Sequence, residues 1–353
     1  MTEQLKTLMH QQADSVDFAV PDLDAMVRTG DRRRRTRRLA AVGAVAATVA
    51  GVALVATTLA PGQRAVEPAG PAAPAVPLSW VDGSTLHLGD RVVELDFRPR
   101  AYVRTKEGYV FSDREGRVWS WADGDVREVG RTDATSPHLV SDEESDLAGW
   151  FDPVEGSYAV VDQRPNGYVR YHQAPPRSEP EDFVAIDAGT AYWTADAGLV
   201  AFDLETGRST PLEVDGTFAD VEDDLFAVRT DAGISVRTVS GEEPRLLDGF
   251  YGELGSFSPD ARWFANDADE PQVYDLVAGE RVELDVAGRA FATGYEWLGE
   301  QSLAVIAAQH DGAVVELLVC EVPSGDCEVV AELETFDQLS DTLVLPVGEA
   351  TDG

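Results

Sequence analysis

Apolar positions along the chain fall into three textures. In residues 1–31, Leu5, Leu8, Met9, Ala13 and Val16 recur at helical spacing. After Pro21 a second short helix is predicted, with Leu23, Met26 and Val27 grouped and Gly30 ending it. Leu39 to Ala60 then runs for 22 residues without a charge and predicts one continuous helix. From Leu78 to Pro346 the pattern shortens. Runs of β-rich, alternating residues separated by Gly, Asp and Pro turns predict strands and no long helix.

A helix over 39–60 would span about 33 Å at about 1.5 Å per residue, enough for a hydrocarbon core of about 30 Å. Arg32, Arg33, Arg34, Arg35, Arg37 and Arg38 flank one end, and Pro61 and Gly62 stop the other. This predicts an uncleaved, single-pass anchor with the N-terminus in the cytoplasm and the remainder outside, in the cell membrane. A cleaved signal peptide would carry a leader of 38 residues, far too long. A twin-arginine signal at "TRRLAA" lacks bulky apolar residues after the pair, and soluble core helices seldom run this far uncharged. Gly43, Ala47 and Gly51 form a small-residue row that permits close helix packing, a candidate dimer contact, although an Ala- and Gly-rich span produces such rows by chance. Residues 61–77 hold five prolines and read as a stiff spacer. The head, 1–38, cannot bury a core alone. Its face of Leu5, Leu8, Met9, Val16, Leu23, Met26 and Val27 is disordered, laid on the membrane, or docked on a protein partner.

The β-rich part repeats. "YVFSDREGRVWSWADGDVREV" (109–129), "SYAVVDQRPNGYVRYHQ" (157–173), "AYWTADAGLVAFDLETGRSTPL" (191–212) and three further units each read as strand, turn, strand, turn, strand. "LSWVDGSTLHLGDRVVEL" (78–95) is a shorter copy, and "DTLVLP" (341–346) is a lone β-rich run able to complete it. The prediction is an all-β fold: a β-propeller of about seven four-stranded blades over 78–346, preceded by the transmembrane helix and the short helical head. A pair of β-sandwiches is the alternative. Residues 347–353 read as a disordered tail.

"FSPDARWFA" (257–265) resembles the turn of WD40-like, or TolB-like, propeller repeats, with Ala261 where their pattern has Gly. "VYDLVAG" and "AFDLETG" resemble their strand-and-turn signature. No W-D dipeptide ends a strand. The order of parts, with a head ending "PDLDAMVRTGDRRRRTRR", one span and an exported propeller, resembles a group of single-pass actinobacterial-type proteins found beside sigma-factor genes. That resemblance implies a signalling, anti-sigma-like role. The zinc signature of anti-sigma heads is missing, since the head has His10 and no Cys.

Charge narrows the partners. The net charge is −36; the first 38 residues hold eight of 28 basic and six of 64 acidic residues, so the rest carries −38. A surface that acidic disfavours nucleic acid. Cys320 and Cys327 flank a Pro-Ser-Gly-Asp turn and are placed on facing strands, close enough to bridge. A disulfide there calls for an oxidising compartment, consistent with an extracytoplasmic domain.

Catalytic signatures are missing: no G-x-S-x-G, H-E-x-x-H, phosphate-binding or dinucleotide glycine motif occurs. The expectation is a non-enzymatic recognition or sensor module with an unidentified protein partner, without cofactor, catalytic or metal residues. The alternatives are a tethered exported hydrolase or lyase and a passive envelope scaffold. His87, His138, His172 and His310 are placed in different units. The acidic runs 141–146, 220–224 and 266–270 lack calcium-loop order and read as solvated loops. Trp119, Trp121, Trp193, Trp263 and Trp297 read as blade packing.

Overall fold

The computed structural model describes residues 76–350, apart from short stretches at 123, 165–166, 174–182, 196–197, 213, 215, 231, 239–244, 248–254, 267–270, 311–312 and 340. The predicted head and its apolar face, Arg32 to Arg38, the span with Gly43, Ala47 and Gly51, and nearly all of the linker lie outside the described residues. Among the described residues no helix is long and apolar enough to cross a membrane.

The described residues form seven four-stranded antiparallel sheets, the blades of a β-propeller. Six are built from consecutive strands. Blade 2 begins with Pro99–Arg104, blade 3 with Leu139–Ser141, blade 4 with Phe183–Asp187, blade 5 with Thr217–Glu222, blade 6 with Gly255–Phe257 and blade 7 with Phe291–Trp297. Blade 1 is composite. Its strands Ser79–Asp82, Thr85–Leu88 and Arg91–Glu94 are completed by the C-terminal Leu343–Val344, which pairs Val344 with Val81 and Leu343 with Asp82. The two ends of the ring are thus held in one sheet, as the lone run at 341–346 predicts.

The core is distributed. Seven clusters of buried apolar side chains form, one at each interface between successive blades. Trp150 lies between blades 2 and 3, Trp193 between 3 and 4, Trp297 between 6 and 7, and Trp80 between 7 and 1. No blade covers both of its faces alone, so ring closure is what removes the apolar surface from water.

The turns explain the repeat signatures. In "FSPDARW" the Ser258 hydroxyl accepts the Trp263 amide at 2.9 Å and donates to Asp260 at 2.6 Å. Ala261 takes φ +50°, a left-handed value that glycine adopts without steric cost. In "DLVAG" the Asp275 carboxylate accepts the amides of Val277 and Ala278, both at 2.8 Å, and Gly279 closes the turn at φ +79°. "DLETG" uses Asp203 and Gly207 in the same way.

One expectation is corrected. Residues 347–350 are not a loose tail: Gly348, Glu349 and Ala350 are buried, and Gly348 hydrogen-bonds to two blades. Backbone pairing holds this segment, and composition does not reveal such pairing.

Candidate functional site: an acidic cleft at the propeller axis

The first strands of neighbouring blades approach one another around the axis. On blades 2, 4, 5 and 7 the pairing of this strand with the second one skips a residue: Arg100, Val184, Ala219 and Tyr295 respectively. Such a bulge re-aims the side chains that follow it. Asp220 in blade 5 and Glu296 in blade 7 occupy the same position, immediately after the skipped residue.

A cleft of about 270 Å³ opens at the axis. Asp142, Glu143 and Glu144 of blade 3 and Asp220 and Glu222 of blade 5 line it, with Glu349 from the C-terminus. Apolar wall comes from Val103, Val184, Phe257, Pro259 and Trp297. Asp187, which ends the first strand of blade 4, lies beside this group and interacts electrostatically with Asp142, Glu144, Asp223 and Asp224.

Most of these carboxyls resist ionisation. Burial pushes Asp220 up to about 7, and Asp187 and Glu143 add to it; the Phe257 and Val221 amides act in opposition. Glu222 is pushed up to about 10 by burial, then by Asp220, Asp187, Asp142 and Glu143. Asp187 reaches about 6 through burial and its acidic neighbours. Glu143 and Glu144 are also raised, chiefly by burial. Bringing a cation into the cleft would favour the ionised forms and release protons.

Two features fix the wall. Asp142 Oδ1 accepts the amides of Glu144 and Ser145, both at 3.0 Å, while Oδ2 accepts the Ala188 amide of blade 4 at 3.1 Å. Arg104, at the end of the first strand of blade 2, sits between Glu143 and Glu296. Burial works against its charge, but the two carboxyls outweigh that and raise it. Glu296 is fully buried and held well above the usual carboxylate range by that burial, against the pull of Arg104. At the rim, Asp223 and Asp224 take φ +50° and +64° in succession. That two-residue turn geometry normally selects Asn-Gly.

His138 borders the cleft. Its Nε2 lies 2.7 Å from the Phe183 carbonyl, which can only accept, so this nitrogen carries the proton. Its Nδ1 lies 3.0 Å from Glu349. The histidines do not converge. His87 stacks on Trp80 in blade 1, with ring centroids 4.5 Å apart. His172 lies in the outer strand of blade 3, beside the Phe202 ring of blade 4. His138 and His172 therefore belong to one blade, which corrects their assignment to separate units.

The runs 141–146 and 220–224 are likewise misread as solvated loops. Each stands at the axial end of a blade's first strand, and ring closure puts them together. Their shared place in the repeat is the signal that would have found them. Of the third run, Asn266 is buried and 267–270 lie outside the described residues. Among the described residues no group of three or more His, Cys, Asp or Glu is arranged to hold a metal ion. Cys320 and Cys327 are directly paired across the hairpin of blade 7 and joined by a disulfide, and neither lines the cleft. Trp119 stacks on Phe97 at 4.9 Å, Trp297 backs the cleft, and the other three pack in or against the blade clusters.

No family model matches the chain, and no curated protein sequence does. Solved structures do. A Mycobacterium tuberculosis puromycin-hydrolyzing peptidase is 16% identical with TM-score 0.50, over 73% of this chain and 53% of that one. The match therefore spans about half of that protein's length. A putative TolB from Agrobacterium tumefaciens is 10% identical with TM-score 0.39, over 78% and 97% of the two chains. Apo AztD from Citrobacter koseri is 13% identical with TM-score 0.46, over 73% and 82%. These likenesses are of fold.

The peptidase corrects the expectation of a non-enzymatic chain. A similar propeller belongs to a hydrolase, so this fold is compatible with an enzyme. The search for linear motifs fails as an exclusion for a physical reason: an axial site draws single residues from separate blades, and no contiguous signature results.

Proposed function

We propose that the chain is a membrane-tethered, extracytoplasmic propeller that recognises a positively charged ligand in its axial cleft, and that the cytoplasmic head relays or anchors that event. The observation that carries the reading is the convergence of Asp142, Glu143, Asp220 and Glu222 from two blades on one cleft, with Asp187 of the blade between them adding to the field. Carboxyls held together at a cost to their ionisation gain most from a cation. Apolar walls at Phe257, Pro259 and Trp297 suit the aliphatic part of an organic amine or a lysine- or arginine-bearing peptide. The apolar run 39–60 with its arginine flank supports the tether, and the Cys320–Cys327 disulfide supports an oxidising compartment.

The test is calorimetric titration of spermine into the full-length chain in detergent. Saturable binding, weakened at least about tenfold in Asp220→Asn/Glu222→Gln, is expected, tenfold being about 1.4 kcal/mol. Binding that the double substitution leaves unchanged would remove the cleft from the account. A second reading is chemistry at the same place. A carboxyl raised to about 7, as Asp220 is, suits general acid–base catalysis near neutrality. Hydrolysis of amine-bearing esters or amides that fails in Asp220→Asn would favour it.

A further inference from the structure

Arg104 is one cation shared by two carboxyls in different surroundings. Glu143 of blade 3 lines the axial cleft; Glu296 of blade 7 is fully buried and does not line it. The Arg104 side chain, itself 6% exposed, donates to Glu143 through Nη2. Its Nε stands 3.4 Å from Glu296 Oε1, beyond the usual range of about 2.7–3.2 Å for a hydrogen bond. Neither Glu296 oxygen meets a donor in hydrogen-bonding geometry among the described residues. The Ser79 amide of blade 1 lies close enough to favour the ionised carboxyl. Ser79 opens the first strand after the linker, and its hydroxyl lies 3.2 Å from the Tyr102 hydroxyl of blade 2. Side chains therefore run in sequence from the cleft wall, through Arg104 and Glu296, to the point where the chain enters the ring.

We infer that Arg104 is a resident cation that an incoming ligand displaces from Glu143, and that its guanidinium then pairs with Glu296 and draws it onto the Ser79 amide, carrying occupancy of the cleft to the linker end of the ring. The inference rests on the cationic-ligand reading above. Charge count supports it. One guanidinium cannot neutralise two desolvated carboxyls, and the one it leaves bears the cost of burial alone. A ligand ammonium at Glu143 supplies the second cation. The movement required is small: about 0.5 Å brings Nε and Oε1 to about 2.9 Å. Beside Glu143 the backbone is held, since both Asp142 oxygens accept amides, so side chains move rather than the strand. The other groups around Glu296 are the phenols of Tyr102, Tyr109 and Tyr295, kept neutral by burial. Arg104 is thus the cation that Glu296 faces among the described residues.

Hydrogen exchange of the Ser79 amide in the full-length chain in detergent, referred to Ala159 in the middle of blade 3, tests the relay. Saturating spermine is expected to slow Ser79 by at least about fivefold beyond any change at Ala159. Glu296→Gln keeps the shape and cannot carry the charge; it is expected to abolish that slowing and to leave spermine affinity within about twofold. Slowing that survives Glu296→Gln, or none in a wild type that binds spermine, overturns the inference. Glu143→Gln supplies an arm without ligand. With residue 143 uncharged, Arg104 turns to Glu296, and Ser79 is expected to exchange at least about fivefold more slowly than in the wild type. Unchanged exchange in that variant also overturns the inference. Spermine that fails to bind while Glu143→Gln slows Ser79 overturns the cationic reading alone.

Discussion

The Asp220 carboxylate accepts the Phe257 amide at 2.8 Å, so a residue of the acidic cleft also ties blade 5 to blade 6. The same carboxylate therefore serves cohesion and, in the function proposed above, recognition, and the two can be separated. Asp220→Asn keeps an acceptor for the Phe257 amide and removes the charge that burial opposes. It is predicted to stabilise the folded chain above pH 7 by about 1–3 kcal/mol, after discounting for partial solvent access. Asp220→Ala loses the tie and is predicted to destabilise by about 1 kcal/mol relative to Asn. Urea midpoints of the three proteins at pH 8 check both.

Stability is predicted to fall as pH rises. Asp187 at about 6, Asp220 at about 7 and Glu222 at about 10 all lie above their unfolded values. The native state binds more protons than the unfolded one between the ordinary carboxylate range and these values, so the slope of unfolding free energy against pH is negative there. The melting temperature should be higher at pH 5.5 than at pH 8. Asp220→Asn/Glu222→Gln should flatten that difference; a wild-type curve that rises toward pH 8 would contradict the account.

Arg104 is predicted to be required for ring integrity. Its guanidinium stands between Glu143 and the fully buried Glu296, on the seam joining blades 2, 3 and 7. Arg104→Met leaves both carboxyls without that cation, and loss of one partner of a buried pair costs about 3–5 kcal/mol. Combining it with Glu143→Gln and Glu296→Gln should recover most of the loss. The triple variant matching the single one in urea denaturation would show that packing, not charge, is the reason.

The rim turn is predicted to be improvable at the expense of the field. Asp223 and Asp224 both hold positive φ, where Asn-Gly fits without strain. Asp223→Asn/Asp224→Gly should stabilise the chain by about 1–2 kcal/mol. It should also lower the pKa of Asp187, which both aspartates raise. Thermal melting and carboxyl titration by NMR report the two effects separately.

Much of the ring is legible in the chain because each blade repeats its own local chemistry. The Asp203 and Asp275 turns and the "FSPDARW" turn leave a signature wherever they occur. Leu343–Val344 stands out as a β-rich run with no neighbour of its own. The cleft is not legible in that way. Asp142, Asp187 and Glu222 are about 35–45 residues apart and look like loop acids singly; only closure of the ring sets them against one another. The C-terminal crossing at 345–350 is hidden for a different reason. Gly348 and Glu349 carry no apolar pattern, and what holds Gly348 is its own amide and carbonyl.

The most direct measurement is the proton count on binding. Spermine titrations of the full-length chain at pH 7, repeated in buffers of different ionisation enthalpy, give the number of protons released per ligand. The account predicts net release on binding, of about one proton, abolished in Asp220→Asn/Glu222→Gln. Binding with no proton release, or release unaffected by the double substitution, would contradict an axial cleft built to receive a cation.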